Sequence, residues 1–116
     1  MSDAAHRLDV ETTAVNNQPV VKVRGEVDLR TSPQLREALL ESAQSTSGPL
    51  LIDLSAVGYM DSSGVGTMVY VKREVERAGR RVVLIGLQPR VRSVFEITHL
   101  DKFFTIVQDL DEVPEP

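Results

Sequence analysis

The amino-acid sequence predicts one α/β domain, a mixed and largely parallel sheet of about five strands flanked by helices. Three observations carry this. Short apolar or alternating runs recur between segments with helical apolar spacing, in the order β-β-α-β-α-β-α-β. Strands that alternate with helices need crossover connections, and crossovers make parallel sheets. The chain has 116 residues, 41% of them hydrophobic, which is enough for one core and too apolar for a disordered chain.

Residues 1–7 are polar and are expected to be flexible. Alternation then begins, with Leu8, Val10 and Thr12 on one side and Asp9, Glu11 and Thr13 on the other, the pattern of a half-buried strand. Asn16-Asn17-Gln18-Pro19 reads as a turn, because Asn tolerates left-handed backbone and Pro interrupts pairing. Residues 20–27 form the second strand, and the short connection predicts an antiparallel hairpin. A helix start follows: Thr31 or Ser32 can cap it, and Pro33 suits its first turn. Leu35, Ala38, Leu39 and Ser42 fall at i, i+3, i+4 and i+7, so one face is buried. Ser45-Thr46-Ser47-Gly48-Pro49 ends this helix.

The third strand is the apolar run 50–54, which suits a central position covered on at least one face. Residues 55–60 lead to a polar turn, Asp61-Ser62-Ser63-Gly64, where the second helix begins. That helix is expected over 63–78. Val65, Met68, Val69, Val71, Val75 and Ala78 make its apolar face, and Lys72, Arg73, Glu74, Glu76 and Arg77 its wet side. Gly79 stands where a C′ glycine belongs. Residues 80–86 give a fourth strand. Pro89 opens a third helix with Val91, Val94, Phe95 and Thr98 on one face. A short fifth strand over 103–107 and a helical turn within 109–113 complete a domain of residues 8–113, with 114–116 as a tail. The spatial order of the strands does not follow from these patterns.

Composition excludes several function classes. Two tyrosines and three phenylalanines are the only aromatic residues, so Val, Leu and Ile must build the core. A net charge of −4 argues against direct binding of nucleic acid, which favours a basic face. The absence of cysteine removes disulfides, thiolate catalysis and cysteine-bound metal. No apolar run is long enough for membrane insertion. The start of the chain lacks the pattern of a secretory signal, and a cytoplasmic protein is expected.

The polar turn concentrates the chemistry. With Asp61 as N-cap, Ser62 falls near N1 and Ser63 near N2, beside unpaired backbone N–H groups and the positive end of a helix dipole. One reading is purely structural: Asp61 and a serine satisfy the helix start. The other makes Ser62 a phosphate acceptor at a place that tolerates negative charge, with Ser63 as the competing acceptor. Gly64 and Gly66 lower helix propensity, so something should approach the backbone there, either the sheet or a partner. No Gly-Lys-Ser or Gly-Lys-Thr phosphate loop is present. A hydrolase nucleophile at Ser62 is disfavoured, since the Gly-x-Ser-x-Gly elbow is missing. No base is at hand either: His6 lies in the polar start and His99 after the third helix. No catalytic residue, metal ligand set or cofactor is expected. Arg77, Arg80, Arg81, Arg90 and Arg92 read as a solvated basic face. Of Tyr59 and Met60, at least one is expected to be partly exposed.

Several of these segments together resemble a known family. Leu51-Ile52-Asp53-Leu54 followed by Met60-Asp61-Ser62-Ser63-Gly64-Val65-Gly66 resembles the signature of bacterial anti-sigma-factor antagonists, the STAS domain. Gly25-Glu26-Val27-Asp28 resembles that family's stretch after its second strand. The likeness continues through Pro89-Arg90-Val91-Arg92-Ser93-Val94-Phe95 and Leu100-Asp101-Lys102-Phe103-Phe104. It implies a mixed sheet flanked by helices, and a switch. The unphosphorylated antagonist binds an anti-sigma factor that is also an ATP-bound serine kinase, and the sigma factor is released. The kinase phosphorylates the serine after the motif's Asp, here Ser62, and a PP2C-type phosphatase reverses this. Asp28 and Asp61 would shape the acceptor site, and Tyr59, Met60, Ser63 and Gly64 would border it and meet the partner. ATP and metal would be held by the partners. The family also serves as an interaction module in lipid or anion transport assemblies; the serine favours the switch.

Overall fold

The computed structural model describes residues 8–114. Its elements are β1 (Leu8–Val15), β2 (Gln18–Val27), α1 (Ser32–Gln44), β3 (Leu50–Met60), α2 (Ser62–Arg77), β4 (Val82–Ile85), α3 (Pro89–Ile97), β5 (Thr105–Val107) and a single 3₁₀ turn (Leu110–Glu112). They form one five-stranded sheet in the order β1-β2-β3-β4-β5. The β1–β2 pair is antiparallel and all other pairs are parallel. This is the mixed, largely parallel sheet that the sequence predicts.

The strand order has a consequence for layering. Each of the three crossovers moves one position in the same direction, so crossovers of one hand leave their helices on one face. The core agrees. Leu35 and Leu39 of α1, Val65 and Met68 of α2, and Val91 and Phe95 of α3 share one buried cluster with Val21, Val23, Ile52 and Leu84 of the sheet. The opposite face holds a small cluster, Val20, Leu51, Val83 and Ile85, packed against Val107, Leu110 and Val113. The C-terminal segment therefore covers part of the sheet face that no helix reaches, while Lys22 and Arg24 on that face stay exposed.

The hairpin turn is tighter than expected. Asn16 (φ 54°) and Asn17 (φ 66°) alone form it, the two left-handed positions of a type I′ turn. Gln18 and Pro19 already pair with Val15 and Ala14. Proline is tolerated because pairing of β2 with β3 begins only at Val20. β3 is longer than the 50–54 run and continues to Met60. Its register against β2 passes from Lys22↔Asp53 to Arg24↔Ala56, then from Gly25↔Val57 to Glu26↔Tyr59. Each step inserts one extra residue in β3, and such bulges bend a strand and re-aim its side chains. The buried positions accordingly run Leu54, Val57, Met60, a spacing of three that hides the strand from an alternation reading.

β4 and β5 are shorter than expected. Arg80 leaves β4 to donate to the carbonyls of Gly48 and Ala43 and to Thr46 Oγ1, holding the α1–β3 loop. Arg81 donates to the Pro114 carbonyl. Arg77 pairs with Glu74 and Arg92 with Glu96, so four of the five arginines close in sequence have separate structural partners. Phe104 turns inward and meets Phe95 edge-on, with ring centroids 5.3 Å apart, so β5 begins only at Thr105.

One helix assignment needs correction. Lys72 belongs to the buried side of α2, not its wet side, and is 9% exposed. Its ammonium donates to Glu76 at 2.6 Å and lies 4.2 Å from the centroid of the Phe103 ring. Position 72 is seven residues after Val65, on the apolar stripe, and the long stem of lysine lets the charge reach a partner while its methylenes pack. Ala78, assigned to the apolar face, is exposed at the helix end. Gly79 takes φ 80° there, as a C′ glycine does.

Candidate functional site

The polar turn sits at the C-terminal ends of two neighbouring parallel strands. Val27 pairs with Met60, and the Asp61 amide donates to the Val27 carbonyl at 3.1 Å. The next residue on each strand is an aspartate. Register alone therefore brings Asp28 and Asp61, far apart in sequence, to adjacent strand ends.

Asp61 is the N-cap of α2, with extended backbone (φ −105°, ψ −172°). Its Oδ1 accepts from the amides of Ser63 at 3.0 Å and Gly64 at 3.3 Å. The Ser63 hydroxyl also donates to this oxygen, at 2.6 Å. Ser63 is thus tied into the cap by both its amide and its hydroxyl. Ser62, one residue earlier in the first turn, is exposed. Its hydroxyl has no hydrogen-bond partner among the described residues. Two serines that look alike in the sequence are made unlike by the helix start: one hydroxyl is occupied and the other is presented to solvent.

The two glycines also separate. A Cβ on Gly64 would lie 2.6 Å from Met60 Cγ and 2.7 Å from Val27 Cγ1, so Gly64 lets α2 press against the ends of β2 and β3. A Cβ on Gly66 would meet nothing within 4 Å. Packing accounts for the first and not for the second.

The β2–α1 loop completes the site. Asp28 Oδ1 accepts from the amides of Arg30 at 2.9 Å and Thr31 at 3.1 Å. Thr31 is buried; its hydroxyl accepts from the Asp28 amide at 3.0 Å and donates to the Glu26 carbonyl at 2.8 Å. Thr31 is the N-cap residue of α1 but makes no side-chain cap bond to the helix. It locks the aspartate loop instead, a role that the Asp-x-x-Thr spacing could have signalled. Leu29, at the tip of this loop, is 76% exposed. Tyr59 is 41% exposed, whereas Met60 is 1% exposed. Met60 thus does not border the surface. It is core, and supports Gly64 from below.

Three surface hollows of 680, 310 and 320 Å³ are lined by other residues, and none touches Asp28, Asp61 or Ser62.

Comparison with known proteins agrees with this architecture. The model of the STAS domain family matches residues 9–113. The chain belongs to the STAS domain family. Among its STAS relatives is an anti-sigma-B factor antagonist of Staphylococcus aureus, 34% identical over 93 residues, which are 80% of this chain and 86% of that protein. A crystal structure of an anti-sigma factor antagonist from Mycobacterium paratuberculosis superposes with a TM-score of 0.80 at 26% identity, covering 91% of this chain and 90% of the other. The STAS fold is shared with the Bacillus protein SpoIIAA in its phosphorylated form, with a TM-score of 0.63 at 24% identity over 89% of this chain and 95% of that one.

Within this STAS domain the remaining candidates fall away from the site. His99 is exposed with φ 61° just past α3. The parallel crossover places that helix end at the opposite end of the strands from Ser62. His6 lies outside the described residues. Among the described residues no group of three or more His, Asp or Glu side chains could hold a metal ion. No helix of the described residues is long and apolar enough to cross a membrane.

Proposed function

We propose that this STAS protein is an anti-sigma-factor antagonist whose binding is switched off by phosphorylation at Ser62. In its unphosphorylated form it binds an anti-sigma factor that is also an ATP-bound serine kinase, and the sigma factor is released. A PP2C-type phosphatase restores the binding form. The protein is substrate and binder, not an enzyme, and acts in the cytoplasm. The observation that carries the reading is the exposed, unbonded Ser62 hydroxyl beside a Ser63 hydroxyl held by Asp61. The names of the staphylococcal and mycobacterial relatives support the partner class.

The physics of the switch is local. A phosphate adds about −1.5 to −2 charges and three acceptor oxygens. The first turn of α2 tolerates that charge, because the positive end of the helix dipole faces it, so the fold persists. The surface does not stay the same. A neutral hydroxyl can be covered by a partner at small cost, but a dianion beside Asp28 and Asp61 must first be desolvated against like charge. The complex is lost without refolding of the antagonist.

The test is phosphosite mapping by mass spectrometry after incubation with host lysate and ATP, with Ser62→Ala alongside. Phosphate on Ser62, absent from the variant, is the expected result. Phosphate on Ser63 moves the site. No phosphate, in a lysate active on a control antagonist, overturns the switch and leaves a constitutive binding module, such as one of a lipid or anion transport assembly.

A further inference from the structure

Gly66 is unexplained by packing, and what lies around it points to a protein partner. Ser62, Gly66, Tyr70 and Arg73 fall at spacings of four, four and three along α2, so they share one face of the helix. All four are exposed. Tyr70 is 45% exposed, a large aromatic side chain in solvent. It is held in place: the Arg36 guanidinium of α1 stacks 5.5 Å from its ring centroid, an interaction that orders both groups before any partner arrives.

The charge of this stripe is one-sided. Both acids of α2 are already paired, Glu74 with Arg77 at 2.7 Å and Glu76 with Lys72 at 2.6 Å. Arg73 has no ion pair among the described residues. On α1, Glu37 and Glu41 follow Arg36 and Leu40 by one position, about 100° further around that helix. The surface around Tyr70 therefore offers two arginines and no unpaired carboxylate of α2.

Size links this stripe to Ser62. Eleven residues of α-helix separate Ser62 from Arg73, about 16 Å at 1.5 Å per residue. A standard protein interface covers roughly 800 Å² on each partner, a disc of radius about 16 Å. A protein centred on Ser62 reaches Tyr70 and the stem of Arg73.

We propose that Gly66, Tyr70 and Arg73 of α2, with Arg36 of α1, form a docking surface for an acidic segment of the protein that phosphorylates Ser62. Gly66 gives that segment close access to the helix backbone. Tyr70 is the aromatic anchor, and Arg36 and Arg73 take its carboxylates. This deepens the function proposed above and rests on it. It also places the acidic segment beside the position where phosphate appears, so a phosphoserine repels the partner along the same stripe.

The experiment measures binding of the purified kinase that modifies Ser62 to the full chain and to Tyr70→Ala, Arg73→Glu, Arg73→Lys, Gly66→Ala and Gly66→Leu, at two salt concentrations. Thermal unfolding of each variant controls for folding. Tyr70→Ala and Arg73→Glu should each weaken binding about tenfold or more, as central aromatic and arginine contacts do. Arg73→Lys should retain most of the affinity. Gly66→Leu should weaken binding more than Gly66→Ala, although neither loses thermal stability. The affinity of the unaltered chain should fall with salt, and that of Arg73→Glu should fall less. If Tyr70→Ala, Arg73→Glu and Gly66→Leu all bind and are phosphorylated as well as the unaltered chain, the docking surface is refuted while the Ser62 switch stands. If no kinase modifies Ser62 in the unaltered chain, the switch fails first and the docking surface falls with it.

Discussion

Replacing Gly64 and Gly66 separately by alanine tests the packing at the helix start. Both substitutions remove a helical glycine, and each should gain about 1 kcal/mol of helix propensity. At Gly66 nothing opposes this gain, because the new methyl enters open space with no atom within 4 Å. At Gly64 the new Cβ would stand 2.6 Å from Met60 Cγ and 2.7 Å from Val27 Cγ1. Carbon atoms prefer about 3.5–4.0 Å, so the overlap is roughly 1 Å on two sides. Val27 is β-branched and stiff. Met60 is fully buried. Neither can move aside freely, so α2 must lift from the sheet. Overpacking of this kind costs about 1–3 kcal/mol. The propensity gain is common to both variants, so their difference isolates the clash at about 1–3 kcal/mol. For a domain of this size that separates the melting midpoints by about 4–12 °C, with Gly66→Ala above the unaltered chain. Thermal and urea unfolding followed by helical circular dichroism reads this directly. Equal midpoints for the two alanine variants would refute the close contact and with it the distinction between the glycines.

Three further outcomes are expected. Asp61→Ala should lose about 0.5–2 kcal/mol as a removed N-cap, whereas Ser62→Ala should stay within about 0.5 kcal/mol of the unaltered chain; chemical denaturation of the pair checks that Ser62 has no part in the cap. Arg80→Ala removes three hydrogen bonds to the α1–β3 loop and should cost about 1–2 kcal/mol, with faster amide exchange measured over residues 45–49. Lys72→Met keeps the buried stem and removes the charge, so its stability should change by less than about 1.5 kcal/mol. Lys72→Ala should lose more by emptying the space under Phe103, and the two unfolding curves decide it.

The legible parts of this protein are those set by neighbours in the chain. Apolar spacing, Asn16-Asn17 at the hairpin, Pro33 and Pro89 at helix starts, Asp61 as cap and Gly79 past a helix end are each matters of a few consecutive residues, and local sterics and hydrogen bonding suffice to specify them. The element order and the placing of Ser62 at the mouth of α2 follow from the same local rules. The charged head of Lys72 suggests solvent, while its position seven residues after Val65 places its stem on the apolar stripe. The far half of β3 is not legible in the sequence, because two bulges against β2 break the alternation on which a strand is recognised.

Other features exist only through contacts between distant segments. The register Val27↔Met60 sets Asp28 beside Asp61, and no pattern around either residue specifies that pairing. The same register puts Val27 and Met60 under Gly64 but leaves Gly66 open, so two glycines with one local signature acquire different causes. The strand order sends all three helices to one face and leaves the other to be covered in part by the C-terminal segment. The elements and the chemical character of the turn are legible from local order, because they depend on residues within about one helical turn of each other. Which hydroxyl is presented, which glycine is packed and which face is open were decided by tertiary structure, because they depend on distances between residues the chain alone does not bring together.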